Sequence, residues 1–127
     1  MNINIEKMKK KIIIHYKKKR IKIIAEDCNF LQKFIGLMFS RREKAKILLF
    51  SFKRKQKIRI HSLYVFYPFV AVWLDKKNKV IDLKIVKPFI PCISHKNKAD
   101  KLIEIPINKK YDDILTLLPL NLTRFGL

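Results

Sequence analysis

In several stretches of the chain, apolar and polar residues alternate with the two-residue period of half-buried strands, and other stretches are short runs rich in β-branched and aromatic residues. The pattern is clear where Ile81, Leu83 and Ile85 share one face and Asp82 and Lys84 share the other. We therefore predict about six or seven short strands, which cover residues 11–16, 20–24, 46–52, 58–67, 69–75, 79–86 and 101–106.

Polar and turn-forming residues separate the predicted strands. Residues 17–19 and 53–57 are basic runs, which we predict to be exposed turns. Lys77 and Asn78 join two apolar arms, and asparagine tolerates the left-handed backbone of a tight hairpin. Pro68 interrupts an apolar run and predicts an edge, a bulge or a break in the strand there.

The hydrophobic period changes to that of a helix in residues 27–36. Phe30 and Phe34 stand four residues apart, as do Leu31 and Ile35, so the two pairs predict one apolar helical face. A glycine at the end of this stretch is a typical helix stop. The spacing therefore predicts one short helix.

The order of the elements predicts the fold class. The strands follow one another closely, without the strand–helix–strand alternation of a parallel sheet. We predict a mainly β domain, a small sandwich or barrel-like structure of jelly-roll type, with one short helix near residues 27–36 and a further short one in residues 111–118. Residues 11–118 would form this single domain, after a loose basic stretch in residues 1–10 and before a tail in residues 119–127.

The composition excludes several classes of protein. The chain has 127 residues, 49% of them hydrophobic, which is enough for one buried core. Its two glycines are too few for a glycine-rich phosphate loop. Cys28 and Cys92 have no cysteine or histidine at metal-ligand spacing, so we expect two buried thiols, or one disulfide in an oxidising compartment, and no metal or cofactor. No nucleophile or acid–base constellation is visible, so an enzyme stays open only as the least favoured class of function.

The charge is strongly positive and unevenly distributed. The net charge is +20, and residues 1–63 carry 19 basic residues against 4 acidic ones. Two clusters flank the predicted strand at 46–52 and predict a surface for RNA, DNA or another polyanion. The cluster residues are Arg41, Arg42, Lys53, Arg54, Lys55, Lys57 and Arg59. An anionic membrane surface and a compositional bias stay open as alternatives, since 24 of the 30 basic residues are lysine, a poorer base reader than arginine.

The apolar runs are short. The longest extends from Leu63 to Leu74, and its twelve residues are too few to span a bilayer. The run from Ile12 to Ile14 is too short for the core of a signal peptide. We therefore expect a cytoplasmic protein without a transmembrane segment.

Four stretches, in this order along the chain, resemble those of a known family. They are CNFLQKFIGLMF at 28–39, IHSLYVFYPFVAVWLD at 60–75, NKVIDLKIVKPF at 78–89 and KLIEIP at 101–106. The chain thus resembles the small uncharacterised family called domain of unknown function 192. The resemblance implies a compact β-rich domain with a short helix. It implies no activity, because none is established for the family.

Several positions depart from the pattern of that family. Lys33 stands where arginine is frequent, Gln32 where glutamate is usual, and Val70 where aspartate is usual. Ser62 replaces a common methionine. A polar site that depends on those groups would be altered here, so no active site is transferred to this chain.

The candidates for a ligand pocket are His61, Ser62 and Lys33. Strand alternation places His61 on the polar side beside Arg59, where it would be a pocket residue or a proton-transfer group. The simpler alternative is a structural histidine held by hydrogen bonds.

A block of aromatic residues has two interpretations. They are base stacking on nucleic acid and packing in the core. We predict core packing, because no lysine or arginine lies between Leu63 and Leu74. The aromatic residues are Tyr64, Phe66, Tyr67, Phe69 and Trp73.

Together these features predict a small non-catalytic binding or accessory domain whose ligand is unknown. The alternative is a basic protein that binds RNA or DNA without sequence preference. The oligomeric state does not follow from the sequence.

Overall fold

The computed structural model describes residues 9–28 and 36–120. Six strands follow one another in the described chain, and a short helical segment ends it. The strands are β1 (Lys9–Tyr16), β2 (Lys19–Asp27), β3 (Leu48–Gln56), β4 (Phe69–Leu74), β5 (Val80–Val86) and β6 (Ala99–Pro106). A 3-10 turn at Lys109–Tyr111 leads into the helix α1 (Asp112–Leu115).

The six strands form one sheet in the order β1-β2-β3-β6-β4-β5. The pairs are antiparallel except for β2 with β3, which run parallel. An isolated bridge joins His15, near the end of β1, to Lys79, just before β5. His15 also donates its backbone N–H to the Asn78 carbonyl at 2.9 Å. The two outer strands therefore meet, and the sheet curls into a half-barrel.

One face of the sheet receives residues from every strand, and we call it the barrel face. Alternate residues of the central strands point to it, such as Val70 and Val72 of β4 and Ile103 and Ile105 of β6. Leu115 of α1 packs against the same cluster. The two-residue period of β strands thus places one half of each strand in a purely aliphatic core.

The opposite face lies beneath loops, and we call it the loop-covered face. Phe69, Ala71 and Trp73, the other half of β4, are buried there. The Trp73 indole N–H donates to the carbonyl of Ile58 at 2.9 Å, and the Ile58 N–H donates to Nε2 of His95 at 3.0 Å. These bonds tie two loops to the sheet, which is why β4 is buried on both sides.

The predicted mainly β, barrel-like fold is confirmed. The hairpin at Asn78 is also present, with φ of 63° at that residue. The predicted helix at 27–36 falls largely on residues 29–35, which lie outside the described part, while Asp27 ends β2. Of the helix predicted at 111–118, the four residues of α1 are helical.

Three segments differ from their predictions in type or in bounds. The basic run 53–57 is no turn, because β3 continues through an irregularity in its pairing and Gln56 pairs with Ala99. Residues 58–67 form no strand beyond the single bridge of Ile60 with Ile93, since the chain turns at Tyr64, where φ is 60°. β1 begins at Lys9, inside the stretch predicted to be loose.

Candidate ligand cavity

A cavity of about 410 Å³ opens on the loop-covered face. It lies between the turn that begins at Gly36, the strands β3 and β6, and the segment that follows β3. Its walls are mainly apolar and aromatic, with Met38, Phe50, Phe52 and Ile58 among them. Cavities of about 300–1,000 Å³ with apolar walls and a few polar groups are typical of small-molecule sites.

Glu104 of β6 lines this cavity and is only 5% exposed. The sheet register places Leu48 of β3 and Ala71 of β4 opposite it, so neither neighbour offers a polar side chain. Within the described residues, the Glu104 carboxyl has no ion-pair partner. Burial raises its pKa to about 8, because a charged carboxylate is poorly solvated there.

Gly36 allows this carboxyl group to occupy its position. Its φ of 51° lies in the left-handed region, which suits glycine. A Cβ atom on Gly36 would stand 3.1 Å from Oε1 of Glu104, closer than ordinary van der Waals contact. The close packing of this turn against the Glu104 carboxyl group therefore requires glycine at position 36.

Three basic or titratable side chains also line the cavity: Lys57, Arg59 and His61. The ammonium group of Lys57 donates hydrogen bonds to the carbonyls of His95 and Lys96, so it braces a loop. Arg59 is exposed. His61 is half-buried, and its Nδ1 accepts the N–H of Leu63 at 3.1 Å.

The three residues predicted from the sequence to form a pocket have different positions. His61 lines the cavity. Ser62 is fully buried and has a structural role, because its hydroxyl donates to the Lys87 carbonyl and accepts the N–H of Ile90. Lys33 lies outside the described residues. The sequence analysis missed Glu104, although an acidic residue between Ile103 and Ile105 in an apolar strand is a visible signal.

The basic residues predicted to bind a polyanion do not share one environment. Lys53 and Arg54 are exposed on β3. Lys55 stands 3.6 Å from the buried carboxylate of Asp100. Arg42 is half-buried and donates its Nε–H to the Ile107 carbonyl at 2.7 Å. Arg41 is exposed, so the freely accessible charges lie mainly at Arg41, Lys53 and Arg54, with Arg59 at the cavity.

The aromatic block is divided between the core and the surface. Tyr67, Phe69 and Trp73 are buried, as predicted, whereas Tyr64 and Phe66 are exposed, so core packing is wrong for these two. Bulky residues on neighbouring loops extend this exposed group, which we call the aromatic platform. It comprises Phe39, Tyr64, Phe66 and Phe89.

The backbone holds the aromatic platform in an unusual conformation. Phe39, Tyr64 and Phe89 all have φ near 60°, the left-handed region that bulky residues rarely adopt. The rings of Phe39 and Tyr64 stack with centroids 5.1 Å apart, and Phe66 meets the edge of Phe89 at 5.2 Å. Phe39 donates its N–H to the Tyr64 carbonyl at 2.9 Å. Such strain persists only where the surrounding structure enforces it, and it is frequent at functional sites.

Other chemistry-bearing residues are dispersed. His95 is buried, and burial together with nearby Lys57 lowers its pKa. In the described ranges, no group of three or more His, Cys, Asp or Glu side chains is placed to hold a metal ion. Cys28 and Cys92 form no disulfide with each other, and Cys92 is exposed, so the expectation of two buried thiols is wrong for Cys92.

The fold and the cavity define a small half-barrel β domain with a cavity of ligand size on its loop-covered face. No family model matches the chain. A UPF0127 protein of Pyrococcus furiosus, from an uncharacterised family, is 27% identical over 81 residues. The match covers 61% of this chain and 66% of that protein, so the chain spans just under two thirds of its relative's length.

Two solved structures share the fold. A protein of unknown function from Novosphingobium aromaticivorans superposes with a TM-score of 0.67 at 11% identity, over 84% of this chain and 78% of that one. A Sinorhizobium meliloti protein, for which a role as a transcription regulator has been suggested, gives a TM-score of 0.63 at 16% identity, over 74% and 76%. In residues 9–28 and 36–120, no helix is long and apolar enough to cross a membrane.

Proposed function

We propose that this protein is a non-catalytic binding domain that holds a small ligand with an apolar body in the cavity beside Glu104. The single observation that carries this proposal is a cavity of about 410 Å³ with apolar walls and one buried carboxyl group. A cavity of about 150 Å³ is enough for benzene, so this one has room for a ring with a short chain.

The packing around the cavity supports binding rather than catalysis. Glu104 and His61 both line it, but no described side chain orients His61 as a base: its Nδ1 accepts a backbone N–H from Leu63. Ser62, the nearest hydroxyl in sequence, is committed to Lys87 and Ile90. A nucleophile would need an adjacent base with a third orienting group.

The test is a calorimetric titration with 2-phenylethanol, a neutral probe with one ring. We expect saturable binding to the native chain and none to Ile60→Trp, whose larger side chain would fill the cavity that Ile60 lines. Leu117→Trp is the matched control, because Leu117 is exposed on the C-terminal segment. Equal binding by both variants would show that the probe sits elsewhere, and the proposal would fail.

The family assignment is also part of this proposal. Membership in the domain of unknown function 192 is supported by the Gly36-Leu37-Met38 turn, which lies at the cavity, and by the ordered motifs along the chain. We also place the protein in the cytoplasm, as its sequence predicts.

A second candidate function is the binding of single-stranded nucleic acid. The observation that favours this candidate is the aromatic platform, on which bases could stack. Stacking of a base on an aromatic side chain contributes about 1–3 kcal/mol to the free energy of binding. Arg41 and Lys87 are exposed and lie two residues from Phe39 and Phe89, respectively. The role suggested for the S. meliloti protein is compatible with this candidate.

The second candidate is tested by fluorescence anisotropy with oligo(U) and oligo(dT). If the platform stacks bases, Phe66→Ala should weaken binding by about tenfold, and Leu117→Ala should leave it unchanged. Affinity should also fall by roughly a decade between 50 and 200 mM salt, because Lys and Arg contact phosphates. Binding that Phe66→Ala does not alter would exclude the platform as the site.

A further inference from the structure

Glu104 is the one acidic group among the described residues that line the cavity. It stands in the middle of β6, between Ile103 and Ile105, whose side chains belong to the opposite face. The flanking positions on β3 and β4 are Leu48 and Ala71. A carboxylate in such surroundings needs a compensating charge or a proton, since an isolated buried charge is strongly disfavoured.

The described structure contains no cation that compensates this carboxyl group. Lys57 is held by two loop carbonyls, and neither Arg59 nor His61, which also line the cavity, forms an ion pair with Glu104. The Tyr67 hydroxyl, which lies near enough to interact electrostatically with Glu104, is bonded to Ser40. Among the described residues, the carboxyl group of Glu104 therefore lacks a charge partner, and the cavity gives a ligand access to it.

We propose that the cavity binds an organic cation with an apolar body, whose ammonium or guanidinium group pairs with the carboxylate of Glu104. This inference rests on the proposed function and names the ligand class for the same cavity. Phe50, Phe52 and Ile58 supply the apolar contact for the body of the ligand. A charge-assisted hydrogen bond in a site with little water is stronger than the same bond on the surface.

Binding of such a cation is coupled to the release of a proton. In the empty cavity the carboxyl is mostly protonated at pH 7, because its pKa is raised to about 8. An ammonium group displaces that proton to the solvent and leaves a neutral ion pair. The net charge of +20 opposes the entry of cations only weakly at physiological salt, where the screening length is about 8 Å.

The experiment compares phenethylamine with its neutral isostere 2-phenylethanol by calorimetry at pH 7 and 150 mM salt. We expect the amine to bind the native chain at least about tenfold more tightly, which corresponds to one charge-assisted contact. The measured heat should differ between phosphate and Tris buffers, because close to one proton is released only with the amine. In Glu104→Gln the two probes should bind with similar affinity and without proton release.

The possible outcomes separate this inference from the proposed function. If the alcohol binds as tightly as the amine, and no proton is released, the cation inference is wrong and the ligand cavity stands. If neither probe binds the native chain, both proposals fail. The proton count is measured on the native chain, so the test does not depend on the folding of Glu104→Gln.

Discussion

The two faces of the curled sheet use the same strands but bury different chemistry. The buried cluster on the barrel face consists only of isoleucine, leucine, valine and alanine. The loop-covered face buries aromatic residues, a cysteine and, beside them, Glu104 and His95. Aliphatic packing without polar groups favours stability, whereas a buried carboxyl group costs stability and suits a binding site.

The comparison is sharpest within β6. Ile103 and Leu102 are adjacent in sequence and both buried, yet they point to opposite faces. Leu102 lines the cavity, whereas Ile103 is packed on all sides. The difference teaches that one strand can support a rigid core and a ligand cavity at once, because its side chains alternate.

The largest effect is expected for the barrel face. Ile103→Ala should lower the free energy of unfolding by about 2–5 kcal/mol, because it leaves a void in a close-packed aliphatic core. Leu102→Ala should cost about 1–3 kcal/mol, since part of its surroundings is already open, and it should also weaken the binding of 2-phenylethanol. Urea denaturation measures both. Equal losses, with binding unaffected in both variants, would contradict the distinction between the faces.

The sequence predicted the barrel face better than the loop-covered face. Period-two alternation follows directly from the geometry of strands, so the arms around Asn78 and the strand β6 were found. The shared face predicted for the second arm is wrong for Ile81, which packs on the loop-covered face, whereas Leu83 and Ile85 pack on the barrel face. The reason is an irregularity in the pairing of β5 with β4 at this end of the strand. The elements of the other face are irregular loops, whose form depends on contacts distant in sequence. Residues 58–67 are an example, because Ile60 pairs with Ile93 and Ser62 with Lys87 and Ile90.

The candidate site shows the same contrast between what local sequence predicts and what depends on contacts distant in sequence. His61 was selected because strand alternation placed it on the polar side beside Arg59. It does line the cavity, although the predicted strand there is reduced to the single bridge of Ile60. Glu104 was missed because its role depends on what packs around it: Leu48 and Ala71 come from strands more than thirty residues away. The exposure of Tyr64 and Phe66 depends likewise on their neighbours Phe39 and Phe89 in other loops.

A smaller effect is expected in the pH dependence of the free energy of unfolding, to which the loop-covered face contributes through Glu104. The pKa of Glu104 is about 8 in the folded chain and about 4.3 in an unfolded one. Between these values the folded chain keeps a proton that the unfolded chain has released, so stability falls as pH rises. The Glu104 contribution should fall by about 3.5 kcal/mol between pH 5 and pH 8, and it should be nearly constant below about pH 3 and above about pH 9.

Chemical denaturation at a series of pH values measures this contribution. Glu104→Gln should flatten the fall, because the amide has no proton to keep, and Glu43→Gln should not, since Glu43 is exposed. The difference between the two variants removes the titration of the remaining groups. Identical profiles for the two variants would mean that Glu104 is already neutralised in the native chain.

The smallest effect is expected at the aromatic platform, where two opposing contributions meet. Phe39 is 68% exposed and has φ of 59°, a conformation that asparagine tolerates much better than phenylalanine. Phe39→Asn relieves about 1 kcal/mol of backbone strain and loses a ring stack of about 0.5–1.5 kcal/mol with Tyr64. The free energy of unfolding should therefore change by no more than about 0.5 kcal/mol in urea denaturation, while oligo(dT) binding declines if the platform stacks bases. A loss above about 2 kcal/mol would show instead that the platform is structural, a part of the core of the loop-covered face rather than a surface for a partner.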